Sequence, residues 1–363
     1  MTVLLRGLTW DHPRGYRPLQ EFSHPDVEVE WDRQPLSGFE STPLEELAGR
    51  YDLLVIDHPG LGAAIEAGAL LPVEDVFSAD DLATWRARAV PPTWESYQLE
   101  GHGWALPLDA ATQTCIYRPD RLATPPASWS DVLELPGVVL CVAGPHAGLM
   151  LLGMAGDRTG TRLLDRERAV AALEVLRAVW SSSEQSFAEL DPIGIHELLG
   201  TGELKCCPLV YSYAYYGRPA DDRAALAWSA APRLLARDSV GNGTLGGTGL
   251  AVTPRAYSKV LAVTKYTRGL LDVRTQLELV SAVGGQSATT AVWESPAVDD
   301  AWNGHYSATL GTVRASYVRP RFDGWIGFQD ELSERVRELL DDDEDPAAAV
   351  DRIEDDYRKV RDG

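Results

Sequence analysis

At 363 residues the chain exceeds what one hydrophobic core usually organises, so two domains are expected. Hydrophobic residues at 45% and charged residues at 24% exclude extensive disorder. The formal charge of -21 makes phosphate backbones and anionic lipid surfaces poor partners, so no nucleic-acid partner is expected.

In chain order, the apolar segment VLLRGL (3–8) predicts a first strand, and LTWDHPRGY follows it with Trp10, Asp11, His12, Arg14 and Tyr16 in one loop. VEVEWD (27–32) and YDLLVID (51–57) predict two more strands, with PLEELAGR as a short helix before the latter. Helix-length stretches between these strands point to βαβ units and a mostly parallel sheet. HPGLGAAIEAGALLPVEDV (58–76) predicts a short helix closed by Gly68, then an apolar exit stopped by Pro72. Asp109, Thr112 and Gln113 fall where the composition changes, and VVLCVA (138–143) predicts another strand, followed by Pro145 and His146. Helical periodicity over 163–180 puts Leu173, Leu176 and Trp180 on one face.

CCPLV then runs into YSYAYY (211–216), where alternation would place Tyr211, Tyr213 and Tyr215 on one face of a strand or extended segment. GNGTLGGTGLAV (241–252) introduces a further strand, and two helices are predicted over 255–268 and 271–283, the second ending at Gly284-Gly285. The tail carries two apolar helical stripes joined by the acidic run 341–345, a solvated junction.

GNGTLG fits G-x-G-x-x-G, but the glycines precede a strand stopped by Pro254 instead of opening a helix, so a hinge or strand-entry turn is the better reading. The seven histidines show no H-x-x-x-H or H-E-x-x-H spacing, G-x-S-x-G is missing, and neither a metal nor a cofactor is expected. Cys115, Cys141, Cys206 and Cys207 lack a paired framework and read as reduced thiols. No basic start with a long apolar run and small-residue cleavage site is visible, so a cytoplasmic location is expected. No stretch approaches the ~20 apolar residues that span a bilayer, so membrane insertion is not expected.

In open α/β sheets, ligands bind beyond the carboxyl ends of the strands, so these polar and aromatic loops are expected to converge on one cleft holding a small molecule. Trp10 and the tyrosines would supply stacking surfaces, Asp57 and Asp109 hydrogen-bond acceptors, and Arg14 a contact to an anionic group or a brace for Asp11. Each residue also has a plainer role open to it. In that reading Asp57-His58-Pro59 ends a strand and caps a helix, the tyrosines form a core edge, and His12 is structural.

Five segments in this order resemble the family-1 solute-binding proteins of ABC importers, which include maltose-binding receptors. They are YDLLVIDHPGLGAAIEAGALLPVED, GHGWALPLDAATQTCIYRPDRL, PPASWSDVLEL, GGTGLAVTPRAYSKVLAVTKYTRGLL and GGQSATTAVWESP. The resemblance implies an α/β, two-lobed, periplasmic-binding-protein-like (type II) architecture with an interlobe cleft and hinge. Lobe one would comprise 1–108 plus 240–300, and lobe two 112–232 plus 304–363. Implied ligand contacts are Trp10, Asp11, Asp57, His58, Asp109, Gln113, Tyr211, Tyr213 and Gly246, Gly247 and Thr248, with His12, Arg14, Tyr16 and His146 added from the loops themselves. The implied function is binding of a small polar metabolite, sugar-like or bearing carboxylate or amine groups, with an ABC permease as the implied partner. The alternative is a cytoplasmic lyase or isomerase on the same fold, with His12, His58 and Asp57 as candidate general acid and base.

Overall fold

The computed structural model describes residues 2–362. Strand β1 (Val3–Trp10) buries Leu5, Leu8 and Trp10. Helix α1 (Pro13–Glu21) begins with proline, whose fixed φ and missing N–H suit a first turn, and His12 caps it. Next come β2 (Val27–Gln34) and β3 (Leu53–Ile56), the latter buried at all four positions. Asp57 caps the turn His58–Gly60, which leads into α2 (Leu61–Glu66). Gly68, at φ +62, ends this passage in the left-handed region that favours glycine. Ser78 caps α3 (Ala79–Arg88), and β4 (Leu106–Tyr117) follows.

The chain continues through α4 (His146–Ala155), α5 (Arg166–Ser182, capped by Asp165) and α6 (Pro192–Thr201, capped by Asp191). Strands β5 (Cys206–Tyr211), β6 (Ala227–Ser229) and β7 (Leu245–Val252) come next, then α7 (Val260–Leu270) and α8 (His305–Arg314). Helices α9 (Trp325–Asp341) and α10 (Pro346–Asp362) close the chain, with the acidic run as their junction.

The chain divides into two compact units. Unit 1 holds the residues up to Ala110, Gly246–Asp299 and Pro320–Trp325; unit 2 holds Ala111–Leu245, Asp300–Arg319 and the residues from Ile326 on.

In unit 1, β1 pairs in parallel with β2 (Val3↔Val27 to Trp10↔Gln34) and with β3 (Gly7↔Leu53). The expected parallel sheet is therefore present, but β7 runs antiparallel to β3 (Leu53↔Val252), so the sheet is mixed. The core beneath it gathers Leu8, Leu54, Ile56, Leu61, Tyr97 and Trp104. Each fully buried leucine contributes about 2 kcal/mol of burial. Arg321 donates to the carbonyls of Glu95, Ser96 and Gln98 at 2.7, 2.9 and 3.0 Å, which ties the short returning segment into this unit.

In unit 2 the outer half of β4 pairs antiparallel with β5 (Gln113↔Tyr211, Tyr117↔Cys206) and with β6 (Cys115↔Ser229). All ten residues of α4 are buried, and α5 packs against it.

Three expectations need correction. Residues 138–143 are almost all buried but form only the bridge Val138↔Cys206, because the rest of the run has no ladder partner. The alternation in YSYAYY does not mark a strand: β5 ends at Tyr211, and Ala214–Gly217 is a 3-10 turn. The region 255–268 starts as a 3-10 turn (Pro254–Lys259) before α7, and 271–283 carries a π-helical turn (Gln276–Val280) before Gly284 stops it at φ +95.

Candidate functional site

Two of the three parallel strands of unit 1, β1 and β3, deliver polar groups at their carboxyl ends. Trp10 ends β1 with its ring almost wholly buried, 5.2 Å from His12 and within 11° of parallel to it. A Cβ at Gly15 would fall 2.3 Å from Trp10 Nε1, so glycine is what lets the indole lie on the start of α1. His12 Nδ1 accepts the Arg14 N–H at 3.1 Å, which satisfies one open donor of the first turn. With Nδ1 accepting, the proton of the neutral ring sits on Nε2. Asp11 is exposed and takes a 3.3 Å contact from Arg33 Nη1. The Arg33 guanidinium lies 3.5 Å above the half-buried Tyr16 ring, so exposed Asp11 and Arg33 form one group with it.

Arg14 does not brace Asp11. It turns inward, its Nε donating to Asp109 Oδ2 at 2.8 Å and its Nη2 donating to Oδ1. The side chains are 4% and 10% exposed, so this is a buried bidentate pair, and much of the Asp109 acceptor capacity is already taken. Burial pushes the Asp109 carboxyl above its ordinary range, and the Arg14 charge and hydrogen bonds pull against that shift.

The neighbouring chain is equally close. Ala110 N–H donates to the Gln286 carbonyl and Gln286 Nε2 donates back to the Ala110 carbonyl, both at 2.9 Å. Gly247 sits at φ +101, with the position of a Cβ 2.3 Å from the Asp109 carbonyl oxygen. Thr248 is buried beside it, and a cavity of about 20 Å³ lined by Arg14, Asp109, Thr248 and Gln286 has room for about one water. Gly247→Ala therefore meets both backbone strain and a steric clash, and is expected to cost about 2–5 kcal/mol. A calorimetric melt checks this, and a loss below about 1 kcal/mol would contradict the tight approach.

At the end of β3, Asp57 Oδ1 accepts the His58 N–H at 2.9 Å and lies 3.1 Å from His58 Nδ1. His58 is buried and meets Tyr97 edge-on at 6.1 Å, while Tyr97 Oη donates to the Ile56 carbonyl at 3.3 Å. Asp57 is only partly buried, so it combines the capping role with access to solvent. Gly246 is half-buried where β7 enters this unit.

In unit 2 the cross-strand partners Gln113 and Tyr211 both reach Thr244. Gln113 Oε1 accepts from Thr244 N at 3.1 Å and Oγ1 at 2.8 Å, and Tyr211 Oη lies 2.9 Å from the same hydroxyl. A Cβ at Gly243 would fall 2.4 Å from the Gln113 carbonyl oxygen, so close backbone approach explains this glycine of GNGTLG.

His146 opens α4, is buried, and meets Tyr211 edge-on at 6.0 Å. Burial, aided by the Arg319 charge, lowers its pKa to about 3, which keeps the imidazole neutral at physiological pH. Arg319 is buried too and donates to Gln329 Oε1 at 3.1 Å and to the Leu245 carbonyl at 3.4 Å.

Tyr213 N–H donates to His196 Nε2 at 3.3 Å, which makes His196 Nδ1 the donor to the Pro192 carbonyl at 2.6 Å. The Tyr213 and Tyr216 rings pack on His196 at 5.1 and 4.7 Å. Ser212 Oγ lies 3.1 Å from His305 Nε2. Sequence reasoning did not single out Thr244, His196, His305 or Arg319. Each sits in an ordinary helical or loop context, and only long-range contact marks it.

All four thiols are buried. Among the described residues no group of three or more His, Cys, Asp or Glu side chains is placed to hold a metal, and no helix is long and apolar enough to cross a membrane.

In each unit polar and aromatic groups stand at strand ends, the position at which α/β proteins bind small molecules. Residues 20–303 match the family described as bacterial extracellular solute-binding protein, and the chain belongs to that family. The maltotriose-binding protein of Pyrococcus abyssi (strain GE5 / Orsay) is 30% identical over 112 residues, which is 31% of this chain and 24% of that relative. The match thus spans about a quarter of the relative's length.

Among solved structures, maltose-bound MalE3 of T. maritima superposes with a TM-score of 0.79 at 19% identity, over 99% of this chain and 100% of that one. An ABC transporter solute-binding protein from Agrobacterium radiobacter K84 in complex with ribitol gives 0.76 at 18%, over 99% and 98%. One from Thermotoga lettingae TMO bound with alpha-D-tagatose gives 0.78 at 14%, over 99% and 100%. At these identities the likeness establishes the fold, which is the maltose-binding-protein-like α/β fold that the resemblance implied.

Proposed function

We propose that the protein binds a small solute rich in hydroxyl groups, a sugar or polyol, as the recognition component of an ABC importer. The observation that carries this reading is the family match across residues 20–303. Proteins of the same fold held ribitol, maltose and tagatose when their structures were solved.

The side chains present suit such a ligand. In unit 1, Asp11, exposed just after β1, and Asp57, partly buried just after β3, offer carboxylate oxygens to hydroxyl donors. In unit 2, half-buried Tyr211 offers aromatic surface where β5 ends, whereas Tyr213 is buried against His196. A charged acceptor that a bound ligand covers rejects ligands lacking the matching hydroxyl, because the covered group is then left unpaired.

Binding without turnover is favoured by what the imidazoles already do. His12 Nδ1 is used as a helix cap, and His12, His58 and His146 are all buried.

A panel of sugars and polyols tested by thermal shift, with the ligand recovered and identified afterwards, decides the matter. At a hundredfold excess over Kd a true ligand is expected to add about 3 kcal/mol of stability and to be recovered unchanged. Recovery of a chemically altered product would support the enzyme instead. A panel in which only amines or carboxylates stabilise the protein would overturn the sugar or polyol assignment.

A further inference from the structure

At the end of the unit 1 sheet opposite Trp10, the last turn of α1, the first half of β2 and α7 line a cavity of about 450 Å³, within the range of small-molecule sites. We propose that this cavity is a second binding site, for a small organic ammonium ion.

Three aromatic rings wall it, and each is fixed by its neighbours. Phe22 meets Tyr266 edge-to-face, with centroids 5.2 Å apart and planes at 71°, and Trp31 Nε1 donates to Tyr266 Oη at 3.2 Å. Glycines make this placement possible: a Cβ at Gly7 would fall 2.4 Å from Trp31 Cε3, and one at Gly269 would fall 2.8 Å from Phe22 Cζ. The walls are therefore preformed, so a guest does not have to order them.

The charge pattern selects the guest. Among the described residues no lysine or arginine lines the cavity; His24, whose Nδ1 accepts the Asp26 N–H at 3.1 Å, and exposed Glu28 do, and the whole chain carries a formal charge of -21. Ring faces and a carboxylate both attract an ammonium group. Tyr266 is buried, and its hydroxyl accepts from Trp31 while its own proton has no acceptor among the described residues. That proton is available to a hydroxyl on the guest, which makes an amino alcohol a suitable shape.

Choline is the probe, and dimethylbutanol, its uncharged isostere with carbon in place of nitrogen, is the control. The readout is the tryptophan indole N–H resonances of a nitrogen-labelled sample, with the Trp31 signal assigned from Trp31→Phe. Choline is expected to shift the Trp31 signal saturably in the millimolar range, and dimethylbutanol on the order of tenfold more weakly.

Glu28→Gln, an exposed change that leaves the core untouched, is expected to weaken choline about threefold. Phe22→Leu, which removes a wall without disturbing the Trp31 contact to Gly7, is expected to weaken it on the order of tenfold. Asp57→Asn, at the other end of the sheet, should leave choline binding unchanged. The proposal is overturned if the Trp31 signal stays still at saturating choline, if the isostere binds equally well, or if Glu28→Gln has no effect.

Discussion

Arg14→Met is expected to destabilise the protein by about 3–5 kcal/mol, read as a lower urea midpoint for the transition that unfolds unit 1. The cause is the carboxylate left behind: Asp109 is buried and loses both hydrogen bonds of its bidentate partner. The double variant Arg14→Met with Asp109→Leu removes the uncompensated charge and is expected to recover most of the loss.

The pH dependence has a definite sign. Without Arg14 the folded-state carboxyl pKa rises further above its unfolded value, so the folded state holds the proton more tightly and stability is lost as pH rises. The deficit of Arg14→Met should therefore shrink on going from about pH 7 to about pH 5. A single-variant loss below about 1 kcal/mol would mean that the pair is well solvated.

His146 gives the second large effect, in the opposite direction. Its folded pKa lies near 3, against an ordinary value of 6.5. Between these values the unfolded chain binds a proton that the folded chain refuses, so the stabilisation is present above about 6.5 and is lost as pH falls toward 3. The loss across that window is expected to be about 3–5 kcal/mol. His146→Gln cannot take up the proton and should flatten this part of the profile, measured by urea unfolding at a series of pH values. Parallel profiles for the variant and the wild type would show that the charge cost lies elsewhere.

The parts of the fold that could be read in the sequence are those set by local chemistry. β1 and β3 are apolar runs, Gly68 and Gly284 end helical passages at positive φ, and the acidic run joins two helices. The capping alternative weighed for Asp57 is also realised.

What could not be read depends on distant partners. Apolarity marked residues 138–143 as buried, but no local signal shows that most of them lack a ladder partner. The direction of β7 against β3 is set by a return of the chain from unit 2, which periodicity does not encode. Among the candidate residues of each unit, Asp11 and Asp57 in unit 1 and Tyr211 and Tyr213 in unit 2 lie at strand ends or in the turns just after them, where local pattern pointed. The Arg14–Asp109 pair and the setting of His146 beside Arg319 arise from contacts across the fold, and these determine whether a polar side chain meets solvent or a neighbour.

Titration calorimetry of Asp57→Asn against the best solute of the sugar and polyol panel tests the central claim most directly. Asparagine keeps the helix cap but removes the carboxylate charge, so folding should be retained while affinity falls on the order of tenfold or more. Wild-type affinity in a folded Asp57→Asn protein would show that the strand-end carboxylate does not meet the solute, and the proposed mode of recognition would be wrong.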